Sequence, residues 1–94
     1  MDISGIIWLD AIVEKLAVKH RVEPDEVEQL FRNRPRILRI ERGDFEGEDL
    51  YSAVGQTDSG RSMIAFFIHK QSGEALIISA PDMTPKERRR YGRK

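Results

Sequence analysis

Cysteine is absent from the 94 residues, which excludes a disulfide framework, a thiolate metal site and a cysteine nucleophile. Net charge is absent too. Sixteen Lys and Arg face 16 Asp and Glu, so no global field draws the chain to nucleic acid or to a membrane, and any such affinity is local. The longest uninterrupted apolar run, Met63 to Ile68, is six residues, against the ~20 that a membrane-spanning helix needs. The start of the chain has no basic segment, and its apolar stretch Ile6 to Leu9 stops at Asp10. This predicts no secretory signal, a cytoplasmic protein and no membrane partner. The motifs G-x-x-x-x-G-K-[ST], G-x-G-x-x-G and H-E-x-x-H are missing, as is any Cys/His metal spacing. No nucleotide cofactor and no metal are therefore expected.

What is present is a mixed sequence, 39% hydrophobic and 34% charged, of a length that suits one domain spanning residues 1–94. Its charges are unevenly placed. Residues 1–50 carry 8 basic and 12 acidic side chains, and residues 51–94 carry 8 basic and 4 acidic. Most of the positive excess lies in Lys86-Glu87-Arg88-Arg89-Arg90-Tyr91-Gly92-Arg93-Lys94, a composition that suits either contact with a polyanion or a solvated chain end.

Leu9, Ile12, Val13, Leu16 and Ala17 follow helical spacing and predict an amphipathic helix running to about His20. A second helix starts at Pro24, with Asp25 and Glu26 against its positive end and Val27, Leu30 and Phe31 as its buried face. It stops near Asn33, because Arg34 precedes Pro35. Short β-rich runs follow at 36–42, 50–56, 61–70 and 74–80, separated by the acidic loop 43–49 and by turns at 57–60 and 71–73. The run 61–70 is apolar on both faces and reads as a central strand. Ile6-Ile7-Trp8 can add a short strand at an edge. Thr84 with Glu87 forms a capping box, and Pro85 occupies the first helical position of a short last helix laid across the sheet edge. The expected fold is α+β: an antiparallel sheet of about four strands, two N-terminal helices packed on one face, and a short C-terminal helix.

One chemistry fits these resources. RNA cleavage by the ribose 2′-hydroxyl needs a proton acceptor, a cation for charge developing on phosphorus and a proton donor. Lys19 and His20 at the end of the first helix, Arg61 at the head of the central strand, and Arg88, Arg90 and Tyr91 on the last helix supply those types. Each also has a structural reading: Lys19 and His20 complement a helix C-terminus, Arg61 is a turn residue, and Tyr91 anchors its helix by packing. The other histidine, His69, lies on a different element.

Ile7-Trp8 followed by Lys19-His20-Arg21-Val22 and then Pro24 to Phe31 resembles the opening of the BrnT family of toxins, with its tryptophan, its "KHGV" and its acidic helix ending in phenylalanine. Gly47-Glu48-Asp49-Leu50-Tyr51 with Val54 to Arg61 resembles the family's "GE-(aromatic)…G-T-G-R" strand pair. Ile77-Ile78-Ser79-Ala80, Asp82-Met83 and Glu87-Arg88-Arg89-Arg90-Tyr91 resemble its "IISARDM…ERRRY" ending. The similarity runs over nearly the whole chain in order.

The resemblance implies a RelE-like fold and a ribonuclease toxin of a type II toxin–antitoxin system, acting without a metal or other cofactor and inhibiting translation. It implies RNA, with ribosome-bound mRNA among its forms, as substrate, and neutralisation by a cognate antitoxin through which alone operator DNA is bound. It makes Lys19, His20, Arg61 and Tyr91 the candidate catalytic residues, with Arg61 weighted most as a guanidinium able to grip phosphate at two points. Arg88, Arg89, Arg90 and Arg93 become the candidate RNA-binding residues. The chain departs from the pattern at Pro81 and Glu74-Ala75, where the family carries arginines, at Leu9 and Ile12, and at Arg21, where it carries glycine. Two missing cations leave an alternative: a catalytically degenerate module that binds protein or nucleic acid.

Overall fold

The computed structural model describes residues 1–45 and 47–91. Glu46 of the acidic loop and Arg93 of the terminal basic run lie outside the described residues. The elements run β1 (Gly5–Ile7), α1 (Asp10–Lys15), a π-helical turn (Leu16–His20), α2 (Pro24–Arg32), β2 (Arg36–Glu41), β3 (Leu50–Gln56), β4 (Ser62–His69), β5 (Glu74–Ser79) and α3 (Pro85–Tyr91).

The fold is α+β, but the sheet differs from the expected one. It has five strands in the order β1-β5-β4-β3-β2, and it is mixed: β1 runs parallel to β5 while the other neighbours are antiparallel. The fifth strand is the short edge strand offered at 6–8, and it forms as β1 because the N–H of Ser4 donates to the carbonyl of Gly73 at 3.0 Å and Gly5 to Ile7 then pair with Glu74 to Leu76. So short a run pairs only where tertiary structure brings it to a free sheet edge. β4 is central, as its two apolar faces imply.

The two faces of β3 and β4 are covered by different helices. Ala53, Ala65, Phe67 and Ile77 join Leu16, Val22, Val27 and Leu30 in the main core. Phe67 lies edge-on to Phe31 at 5.2 Å and stacked with Tyr51 at 5.7 Å between centroids. Gly55 allows this close layer packing, since a Cβ there would stand 3.0 Å from Leu30 Cδ1 and 3.4 Å from Pro35 Cα. On the opposite face Val54, Ile64 and Met83 form a smaller cluster against Phe66 and Tyr91. The helix α3 reaches the second face through Tyr91, the one large apolar side chain it has to bury.

The first helical segment runs to His20 as expected, but only Asp10–Lys15 is α-helical, and the chain continues as a π turn in which the N–H of Arg21 donates to the carbonyl of Leu16. That wider turn shifts the apolar register. Leu16 is wholly buried, whereas Leu9, Ala17 and Val18 are exposed, Val18 by 77%. The expected stripe is thus narrower than its spacing suggested. Among the described residues no helix is long and apolar enough to cross a membrane.

Candidate functional site

The turn between β3 and β4 places the first site residue. Thr57, buried, accepts the N–H of Arg61 through Oγ1 at 3.1 Å and donates its own N–H to the carbonyl of Arg61 at 2.9 Å. Gly60, with φ of 89°, lets the chain reverse. Past β5 the chain returns alongside the start of β4: the N–H of Ile64 donates to the Pro81 carbonyl at 3.1 Å and that of Met83 to the Ser62 carbonyl at 3.0 Å. Asp82 is thereby fixed opposite Met63 and next to Arg61.

Arg61 is fully engaged. Its Nε donates to Asp82 Oδ1 at 2.6 Å and its Nη2 to Asp82 Oδ2 at 2.9 Å. Its Nη1 donates to both carboxylate oxygens of Glu26, at 3.2 and 3.1 Å, and to the Arg21 carbonyl at 2.9 Å. The remaining Nη2 proton goes to the His20 carbonyl at 2.8 Å. A single guanidinium thus joins the end of the first helix, the start of α2, the β3–β4 turn and the segment before α3. The hydrogen bonds to Asp82, reinforced by Glu26 and opposed by burial, raise the Arg61 pKa further above its ordinary value. The same pairing holds the Asp82 carboxyl below the usual aspartate range, with the charges of His20 and Arg88 adding to it.

Arg61 thus joins Asp82 to the backbone of His20 and Arg21, the charges of His20 and Arg88 act on the Asp82 carboxyl, and exposed Lys19 is next to His20 in the chain. The two carboxylates on Arg61 exceed its charge, and every N–H it owns has an acceptor. Phosphate would have to displace Asp82 or Glu26 to be gripped there. The expected two-point grip by Arg61 is therefore spent within the chain, whereas Arg88, whose charge acts on the Asp82 carboxyl, has no ion-pair partner among the described residues.

Tyr91 stands apart from this group. It packs on Val54, Ile64 and Met83, with the Arg90 guanidinium 5.5 Å from its ring centroid, and lines a cleft of about 480 Å³ together with Arg34 and Arg36. Arg88, Arg89 and Arg90 are exposed on α3. The helix itself begins as the capping box implies: Glu87 accepts the N–H of Thr84 at 2.9 Å, and Thr84 Oγ1 accepts that of Glu87 at 3.1 Å. His69 is remote, edge-on to Tyr51 at 6.2 Å and 3.3 Å from the Asp2 carbonyl.

Four participants escaped the sequence reading. Glu26 looked like a helix-start charge, which it also is, since it accepts the N–H of Glu23 at 3.1 Å. Asp82 stood out only as part of a resembling segment. Arg34 and Arg36 looked like residues flanking a proline, and nothing in their spacing links them to Tyr91. Among the described residues no three His, Asp or Glu side chains converge as metal ligands.

No family model matches the chain, and no curated protein matches it.

Proposed function

We propose that this chain is an RNA-cleaving toxin of the BrnT kind, with a RelE-like fold, that inhibits translation until a cognate antitoxin neutralises it. Operator DNA is reached only through that antitoxin. The observation that supports the reading best is the Arg61 clasp. His20, Arg61 and Asp82 come from three segments that resemble the family, far apart in the chain, and Arg61 ties those segments together.

In this reading the 2′-hydroxyl of a ribose gives its proton to His20 while its oxygen bonds to the adjacent phosphorus. The bond from phosphorus to the 5′-oxygen breaks, that oxygen takes up a proton from Lys19 or Tyr91, and a 2′,3′-cyclic phosphate remains. Arg88 faces the charge that builds on the phosphoryl oxygens. Arg61 acts as a positioning residue, holding the carbonyls of His20 and Arg21 so that the His20 ring keeps its place. The acid and base are the chain's own side chains, and no metal takes part.

The test is cleavage of labelled single-stranded RNA by purified protein, with and without a chelator, beside His20→Ala, Lys19→Ala, Arg88→Ala and Pro81→Arg. The expected result is chelator-resistant cutting that falls on the order of 10²–10³-fold in the variant lacking the proton acceptor. Undiminished cutting by both His20→Ala and Lys19→Ala would overturn the assignment. The complete engagement of Arg61 favours a second reading, a degenerate module that binds without cutting. Cleavage by Pro81→Arg alone is the result that selects it.

A further inference from the structure

Among the described residues two non-glycines adopt left-handed backbone, and both are arginines that close helices: Arg21, φ 53°, after the π turn, and Arg34, φ 54°, after α2. Glycine is the usual occupant of such positions, because a Cβ is crowded there. Neither side chain has an ion-pair partner among the described residues, but the Arg21 backbone serves the clasp, its carbonyl accepting from Arg61 Nη1 at 2.9 Å. Arg34 instead stands at a cleft. It is exposed, it has no carboxylate partner among the described residues, and it lines the cleft beside Tyr91. Backbone strain kept for a side chain that stabilises nothing around it points to something that side chain meets from outside.

The rest of the cleft says what that is. Arg36, also exposed and without an ion-pair partner among the described residues, lies on the same wall. Val54 and Met83 line the cleft as part of the apolar cluster on which Tyr91 packs, and Gln56 also lines it, its amide nitrogen donating to Ser62 Oγ at 3.3 Å and its amide oxygen without a partner among the described residues. Two unopposed guanidiniums beside an aromatic ring and an amide suit a ligand with one anionic group and one flat, hydrogen-bonding group. The volume, about 480 Å³, is that of a small-ligand site. The wall is built before any ligand arrives. Asn33 Nδ2 donates to the Gln56 carbonyl and to Asp58 Oδ1, both at 3.0 Å, and Gln29 Oε1 accepts the Asp58 N–H at 3.0 Å. These bonds clamp the end of α2 onto the β3–β4 turn, so little ordering is left for binding to bring about.

We propose that this cleft binds one nucleotide of single-stranded RNA, its phosphate between Arg34 and Arg36 and its base against Tyr91, an assignment that rests on RNA being the substrate. Phosphate neutralised by arginine and a base stacked on an aromatic ring are the two elements of single-strand recognition.

The probe is a labelled short 2′-O-methyl oligoribonucleotide, which lacks the reactive hydroxyl and so reports binding without cleavage. Anisotropy titrations over a range of salt, with thermal unfolding in parallel, compare the full chain with Arg34→Gly and Arg36→Gln. Each variant is expected to bind about fivefold or more weakly with a flatter salt dependence. Arg34→Gly is at the same time expected to melt no lower than the parent, because glycine relieves the left-handed strain. Weaker binding without lost stability separates a ligand contact from a structural one. Failure of the parent to bind, or equal binding by both variants, overturns the proposal. If the variants bind weakly but the parent cuts no unmodified RNA, the cleft stands and the cleavage reading falls. If the parent cuts RNA while both variants bind the probe normally, cleavage stands and the cleft falls.

Discussion

Arg61 and Asp82 face each other as fork to fork, with Nε to Oδ1 at 2.6 Å and Nη2 to Oδ2 at 2.9 Å, across a separation of 21 residues in the chain. This pair is half of a clasp whose other half is Glu26 and the carbonyls of His20 and Arg21. Arg61→Ala removes it and leaves carboxylates that water can partly reach, their side chains being 24% exposed at Glu26 and 51% at Asp82. The expected loss is on the order of 2 kcal/mol, measured by urea unfolding. Arg61→Lys is expected to recover less than half, because an ammonium cannot make two parallel bonds to one carboxylate while reaching two carbonyls. A midpoint for Arg61→Ala equal to that of the parent would mean that the clasp carries no stability.

The same pair sets an acid limit. Hydrogen bonds from Arg61 hold the Asp82 carboxyl below its ordinary value of 3.8, aided by the charges of Arg61, His20 and Arg88 against the opposing effect of burial. A group whose folded pKa is depressed contributes stability above its unfolded value and loses it as pH falls through the folded one. That contribution is whole near neutrality and disappears below pH 3.8. Asp82→Asn is expected to lower the melting temperature at pH 6 and to flatten its decline below about pH 4. The half-exposed side chain keeps the effect modest. Parallel curves for parent and variant across the acid range would show that Asp82 does not contribute.

Arg21 stands in left-handed backbone without being glycine. With φ of 53°, Arg21 occupies backbone that glycine enters freely, and its exposed side chain has no ion-pair partner among the described residues. Arg21→Gly keeps the carbonyl that Arg61 needs. Relief of the Cβ crowding, less the extra freedom glycine gives the unfolded chain, predicts a gain of about 0.5–1 kcal/mol. Thermal unfolding tests this, and a lower melting temperature would mean that the arginine side chain holds the turn in place.

What the sequence made legible was local. Pro24 and Pro85, the capping box at Thr84, and the turn glycines Gly60 and Gly73, with φ of 89° and 92°, act within a few residues, and the helices and turns they mark are where they were expected. The β3 boundaries at Leu50 and Gln56 agree for the same reason. The rest depends on distant segments. The short edge strand expected at 6–8 forms as β1, but its parallel pairing depends on Gly73, the π turn on the demands of Leu16 and Val22 in the core, and the position of α3 on where Tyr91 finds Val54 and Ile64. At the candidate site, residue types were readable but their commitments were not. An arginine ahead of a strand looks equally able to hold phosphate or carboxylate, and only the fold shows that Asp82 and Glu26 already hold Arg61.

Tyr91 separates packing from chemistry most cleanly. Its ring completes the second apolar cluster over Val54, Ile64 and Met83, while no described residue is hydrogen-bonded to its hydroxyl. Tyr91→Phe keeps the ring, so stability is expected to stay within about 0.5 kcal/mol of the parent, whereas Tyr91→Ala uncovers the cluster and is expected to cost about 1–3 kcal/mol. If the hydroxyl supplies the proton taken by the leaving 5′-oxygen, Tyr91→Phe cuts RNA at least about tenfold more slowly while binding the 2′-O-methyl probe normally. If the ring serves only as a surface for a base, Tyr91→Phe retains both activities and Tyr91→Ala loses binding. Thermal unfolding, probe binding and cleavage measured on the two variants assign the residue one role, and normal binding by Tyr91→Ala would remove it from the site.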